Sequence, residues 1–218
     1  QIKVYYPNRC CHRMTCIRVA SKDRCLRIKH PRSGMQTTFP SLLLNHAAQR
    51  PRAPAMREKA FGIWQTLTWM DLAVLVEHLA CGLHQAGLRR GAHMVVLGAN
   101  RPRLYATMLA VQSLGGIPVP LYQDAAAAEC VFPINNAEVR FAFAEDQEQV
   151  DKMLEIRDQV GTLEQIIYDD PRGMRHYSQP FLHDIHELME MGRIHDRNHA
   201  DFLNAEVEQG HFDDTSVM

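Results

Sequence analysis

No apolar run in this sequence reaches the ~20 residues that a membrane-spanning helix needs. The opening thirty residues also lack the apolar core of a signal peptide. Together these absences make a cytoplasmic protein the expectation. Glycine is present but not grouped for phosphates: Gly98, Gly115 and Gly116 match neither G-x-G-x-x-G nor G-x₄-G-K-[ST]. No G-x-S-x-G stretch occurs, so there is no nucleophile elbow. Nor does the sequence repeat itself, which removes the solenoid architectures.

What remains is ordinary in amount and uneven in distribution. Hydrophobic residues make up 46% and charged residues 22% of 218, the balance of a globular protein with one large domain or two small ones. The net charge of −1 conceals an asymmetry. Residues 1–36 hold nine Lys/Arg against Asp23 alone, roughly +8, which leaves roughly −9 on the rest. Four of the six cysteines, Cys10, Cys11, Cys16 and Cys25, fall in this basic segment beside His12 and His30. No Cys-x₂₋₄-Cys pair recurs at a second knuckle, so the spacing fits no zinc framework. The segment shows no sustained period and no aromatic interleaving. It reads as a disordered or non-native extension, with Met35 as the start, rather than as a nucleic-acid-binding arm. The division is therefore 1–36 and 37–218, and deleting residues 1–34 is expected to leave the melting transition unchanged.

The organising stretch is 68–122. Leu72, Leu75, Val76, Leu79, Leu83 and Ala86 lie on one helical face. Thr68 and Asp71 stand where a capping box places them, and Gly87 can end the helix in the left-handed conformation, with Leu88 folding back. Residues 94–97 are apolar on both faces, as in a strand covered on two sides. Asn100 and Pro102 open a second helix with Leu104, Met108 and Val111 on its core face, and 117–121 runs out extended. Strand, helix, strand predicts a βαβ unit with parallel strands. Leu75, Leu79, Val95, Val96, Leu97, Leu104 and Met108 are expected to share one core.

Around this unit the signals are weaker. A short helix follows Ser41 and ends near Pro51, and a hairpin is expected around Gly62. After Tyr122 comes an Ala-rich helix through Cys130, broken or kinked at Pro133, and then a turn at Asn135-Asn136. Residues 139–144 form a short strand, Glu145-Asp146 caps a helix, and Gln165-Ile166-Ile167-Tyr168 forms a further strand. Residues 181–191 and 202–208 look helical. Residues 213–218 look like the approach to a strand.

Two histidine pairs have helical metal spacing, His183-x-x-His186 and His195-x₃-His199. They lie among Asp184, Glu187, Glu190 and Asp196, and nothing else in the sequence converges on them. Solvated helix faces are the expectation, since a metal site needs convergent ligands and an outer shell. Cys81 and Cys130 are expected as small buried hydrophobes. Taken residue by residue, the chain is an α/β domain without an active site of its own.

Several stretches resemble one family in order and spacing. They are TFPSLLLNHAAQRPRAPAMREK (38–59), Gly62-Ile63-Trp64-Gln65-Thr66 leading to Thr68-Trp69, GLRRGAHMVVLGANRPRLY (87–105), SLGGIPVPLY (113–122) and INNAEVRFAFAEDQEQVDKMLEI (134–156). Over about 180 residues they resemble the N-terminal portion of AMP-forming adenylating enzymes, closest to bacterial long-chain fatty acid–CoA ligases. The resemblance implies an α/β fold, a parallel-rich sheet flanked by helices, forming an incomplete N-terminal subdomain of the adenylating-enzyme large domain. It implies a complete enzyme that uses ATP, Mg²⁺ and coenzyme A to turn a long-chain fatty acid into an acyl-adenylate and then a thioester. In that family a Ser/Thr/Gly-rich phosphate loop follows a segment like 213–218, and the adenine motif, hinge and catalytic lysine lie further on. No catalytic, cofactor-binding or metal residue can therefore be carried over to this sequence. Together with Gln1 in place of Met, this leads to the expectation of a fragment that is inactive by itself. The alternative is a non-catalytic binding or interaction module on the same scaffold. No nucleic-acid partner is expected; peripheral contact at the inner membrane is the one alternative kept for location.

Overall fold

The computed structural model describes residues 14–19, 24–29 and 37–218. Strand β1 (Met14–Val19) pairs antiparallel with β2 (Arg24–Lys29), from Met14 opposite Lys29 to Val19 opposite Arg24. The segment has no sustained hydrophobic period, yet β-branched Thr15, Ile17 and Val19 alternate along β1, which favours an extended chain. Of the cysteines and histidines whose spacing fits no zinc framework, Cys16 falls in β1 and Cys25 in β2, whereas Cys10, Cys11, His12 and His30, with Met35, lie outside the described residues.

Helix α1 (Phe39–Gln49) begins at Thr38, earlier than the sequence placed it. The Thr38 hydroxyl accepts from the Ser41 amide at 3.3 Å and the Ser41 hydroxyl from the Thr38 amide at 2.9 Å. Pro40 sits in the first turn, where a missing N–H costs nothing. Strands β3 (Pro54–Ala60) and β4 (Ile63–Thr68) make the expected hairpin. Phe61 (φ 50°) and Gly62 (φ 80°) close it, two positive-φ residues as a tight hairpin turn requires. Helix α2 (Trp69–Gln85) starts on the Thr68–Asp71 capping box. It ends at Gly87 (φ 101°), where the Leu88 amide turns back to the Leu83 carbonyl at 2.9 Å.

Then the sheet is built. Its strands are β5 (His93–Leu97), β6 (Ile117–Leu121), β7 (Phe141–Ala144), β8 (Gln165–Tyr168) and β9 (Leu182–Asp184). Between them run α3 (Pro102–Ser113), α4 (Ala127–Asn136) and α5 (Gln147–Glu155), and α6 (Ile185–Asn198) and α7 (Phe202–Glu208) follow. All five strands are parallel, in the order β6-β5-β7-β8-β9. The βαβ unit is as expected, with Val95 opposite Val119.

Within the stretch 181–191, expected to be helical, Leu182–Asp184 forms strand β9 instead. Asp184 is the reason the helix starts only at Ile185, because its Oδ1 accepts from the His186 amide at 2.7 Å and caps the turn. Pro133 does not break α4, which continues to Asn136. The carbonyl that Pro133 leaves without an intrahelical donor belongs to Glu129, an exposed residue that water can serve.

The single core expected from the sequence is in fact two. Met94, Val96, Leu104, Phe141, Phe143 and Ile167 pack with α1, α2, α6 and α7 on one face of the sheet. Val95, Leu97, Ala142, Ala144 and Ile166 pack with α4 and α5 on the other. The strand period of two dictates this split, since neighbours on one strand point to opposite faces. Leu79 is fully buried in the first layer, and Leu75 and Met108 pack against it half-buried. Cys81 and Cys130 are buried as expected. Beyond α7 the chain returns to β6: Gln112 Nε2 donates to the Ser216 carbonyl at 2.7 Å, and the Met218 amide to the Pro118 carbonyl at 3.2 Å.

Candidate functional site

In an open parallel sheet, ligands bind beyond the carboxyl ends of the strands, where the strand order reverses. Here β6 lies to one side of β5 and β7 to the other, so that point is the crevice between β5 and β7. Two turns meet there, 98–101 after β5 and Glu145-Asp146 after β7.

The crevice is filled by the protein's own carboxylate. Glu145 reaches across from β7, and its Oε2 accepts from the Ala99 amide in a short contact. Its Oε1 pairs with Arg101 Nε at 2.7 Å. Gly98 makes this approach possible, because a Cβ there would lie 2.6 Å from the Glu145 Cβ. Glu145 thus fills the crevice with its own negative charge, held by a loop amide two residues before the cap of α3 and by the capping Arg101. One strand further on, Arg103 pairs with Asp169 at 3.2 Å. Burial pushes the Asp169 carboxyl above its ordinary range, against the opposing pull of Arg103 and His186. Both arginines near the crevice therefore face carboxylates. Asp146, read as a cap together with Glu145, does cap α5, accepting from the Gln149 amide at 3.2 Å. Glu145 has the other task, which spacing along the sequence could not reveal.

Beside the crevice is an open depression of about 520 Å³ lined by Gly98 to Asn100 and by Pro120 to Asp124. Asn100 Oδ1 accepts from the Tyr105 hydroxyl at 3.1 Å, and the Gln123 carbonyl from Lys152 Nζ at 2.5 Å. The two cations nearest this wall, Arg101 and Arg103, are both paired with carboxylates, Glu145 and Asp169.

The histidine pairs do not converge on this site. His183 on β9 shares a hydrogen bond with Gln165 at 2.5 Å, and His186 is exposed in the first turn of α6. His195 and His199 stack at 4.3 Å, with His84 and Phe202 at 5.7 and 4.9 Å from His195. His186 and His199 are solvated, as expected; His195 is half-buried and Asp196 buried against α2, contrary to the expectation of solvated faces. The side of α6 that carries them packs on α2, a tertiary contact that polarity along the helix could not show.

These features define an α/β domain with a five-stranded parallel sheet, covered on both faces, whose own switch point is closed. The AMP-binding enzyme family matches residues 43–196, and the chain belongs to that family. It is 32% identical over 121 residues to the uncharacterized protein Rv1549 of Mycobacterium tuberculosis, covering 53% of this chain and 68% of that protein. It is 28% identical over 170 residues to the long-chain-fatty-acid–CoA ligase ACSBG2 of Mus musculus, covering 77% of this chain and 25% of the ligase. Among solved structures, the anthranilate CoA ligase AuaEII in complex with anthranoyl-AMP superposes with a TM-score of 0.62 at 15% identity, over 72% of this chain and 28% of the ligase. A putative long-chain-fatty-acid CoA ligase from Rhodopseudomonas palustris gives 0.59 at 20% identity, over 70% and 36%. The chain thus spans about two thirds of its mycobacterial relative and about a quarter of the mouse ligase.

Proposed function

We propose that this chain is the N-terminal scaffold of an acyl-CoA ligase that activates long-chain fatty acids with ATP, and that residues 1–218 alone do not perform the reaction. The observation that carries this reading is the closed switch point, where Glu145 occupies the Ala99 amide of the β5–α3 loop and the nearby arginines are paired. Adenylation needs oriented amides and cations around a triphosphate. A helix start and one arginine contribute about 1–3 kcal/mol, whereas micromolar affinity needs about 8 kcal/mol. The long-chain preference rests on the names of relatives such as the mouse ligase. We propose likewise that 37–218 is the adenylating-enzyme portion and that no residue in it is catalytic.

The test is pyrophosphate release with ATP, magnesium and a long-chain fatty acid. Residues 1–218 are expected to stay at background. A longer chain that continues into a phosphate loop is expected to release pyrophosphate and to need coenzyme A for thioester. Turnover by residues 1–218 would overturn the proposal.

The relative Rv1549, of which the chain covers 68%, favours a second reading as a stand-alone binding module on this scaffold. An open reading frame that continues past Met218 in the source DNA decides for the first reading, and a stop codon there for the second.

A further inference from the structure

The crossing of α2 and α6 holds a polar cluster away from the switch point. Glu77 and His78 on α2 and Asp196 on α6 each bring one donor atom within 4.8 Å of the other two. Glu77 and Asp196 are each 6% exposed, and neighbouring Val76, Leu79, Ala80 and Leu188 on the two helices are buried and apolar. Two buried carboxylates this close are costly unless positive charge meets them. His78 is half-buried, which leaves the cluster a way to solvent.

The helices are also held where the donors meet. A Cβ on Gly192 would lie 1.9 Å from the His78 carbonyl oxygen and 2.7 Å from the Gly82 nitrogen, and a Cβ on Gly82 would lie 2.3 Å from the Leu188 carbonyl oxygen. Only glycine at both positions lets the two backbones touch. Such contact fixes the distance between Asp196 and the Glu77-His78 pair, so the donors are arranged before any ion arrives.

We propose that Glu77, His78 and Asp196 bind a single divalent first-row metal ion, zinc by the chemistry of the donors. One imidazole nitrogen and two carboxylate oxygens suit a borderline ion, whereas calcium and magnesium prefer oxygen alone. Tetrahedral donors at about 2.0–2.1 Å from zinc lie roughly 3.4 Å apart, so these must draw together by about 1.5 Å or less. That is within reach of side-chain rotation, and water completes the sphere from the His78 side. The ion's two positive charges balance the two carboxylates, and its bonds tie α6 to α2. All three residues have partners in the metal-free fold, so zinc binds in competition with those contacts and with protons.

The experiment is a chelator-competition titration of residues 1–218 with zinc at neutral pH. The protein carries Cys10→Ser, Cys11→Ser, Cys16→Ser and Cys25→Ser, so that no thiolate in the N-terminal segment supplies an alternative site. One equivalent is expected to bind with a Kd of about 10 μM or tighter and to raise the Tm. Magnesium and calcium are expected not to compete. His78→Ala and Asp196→Asn are expected to weaken zinc roughly tenfold or more, at least what loss of an outer-shell partner costs a metal site. Cobalt provides a readout that needs no further variant: a tetrahedral nitrogen–oxygen spectrum without thiolate charge transfer. Binding weaker than about 10 μM would overturn the proposal. So would binding that survives His78→Ala and Asp196→Asn, and its loss in His195→Ala/His199→Ala would place the ion at that pair instead.

Discussion

Gly192 stands so close to His78 that the α-carbon of one helix faces the main-chain oxygen of the other with no side chain between them. Gly192→Ala must therefore push α6 off α2. The helix-propensity gain of alanine, at most about 1 kcal/mol, is smaller than the overpacking cost of about 1–3 kcal/mol or more. Urea unfolding is expected to show a net loss of stability, and an unchanged or raised midpoint would contradict the contact.

Leu79 is fully buried in the layer that joins α2 to the sheet. Leu79→Ala is expected to cost about 2–5 kcal/mol. Leu75→Ala, on the same helix but half-buried, is expected to cost clearly less. Equal losses for the two would mean that α2 presents a different face to the sheet.

Stability is expected to fall as pH drops below about 6.5. Burial, more than any charge, holds His84 and His195 below the ordinary 6.5. Arg89, His195 and His199 press His84 further down and Glu206 pulls it up, while His199 presses on His195. A group with a depressed folded pKa takes its proton more readily when unfolded. Its contribution is complete above the unfolded value and is lost as pH falls through the folded one. Thermal unfolding between pH 7 and 5 is expected to show this slope, and His195→Gln to flatten it. Asp170, Glu164 and Glu190, held down mainly by hydrogen bonds from Arg172, Arg140 and Arg193, act in a lower window, beneath the usual carboxylate values. A slope untouched by His195→Gln would assign it elsewhere.

Glu145→Gln keeps the shape of the side chain that closes the crevice and removes its charge. The bonds to the Ala99 amide and to Arg101 weaken, at an expected cost of about 1–2 kcal/mol, with Arg101 discounted as largely solvated. Chemical denaturation measures the loss. No change would mean that Glu145 contributes nothing at the switch point.

The local parts of the fold were legible because their signals are local. The Thr68–Asp71 cap, the Gly87–Leu88 helix end and the hairpin around Gly62 each depend on residues within five positions, and the structure has all three. The parallel pairing of β5 with β6 followed from the helix between them. The placement of β7 on the far side of β5 did not, since no residue in 139–144 says which edge it will join. Strand β9 was lost to the helical pattern after it, and α4 continued through a proline that only its solvent exposure makes tolerable. Glu145 looked like a second cap because its partner, Ala99, is 46 positions away. Glu77 left one trace, an acid beside Val76 and Leu79 in an apolar stripe, which becomes meaningful only once α6 covers it.

The outer edge of β6 carries two prolines. Ile117 turns its amide inward to the Ala92 carbonyl, so Pro118 and Pro120 fall on the positions that face outward. That edge can accept hydrogen bonds, as Pro118 does from the Met218 amide, but at those positions it has none to give. A stray strand from another molecule would find only half of a ladder there, which makes the edge a poor seed for aggregation. The same arrangement still receives Met218 of the same chain, whose amide needs nothing but an acceptor.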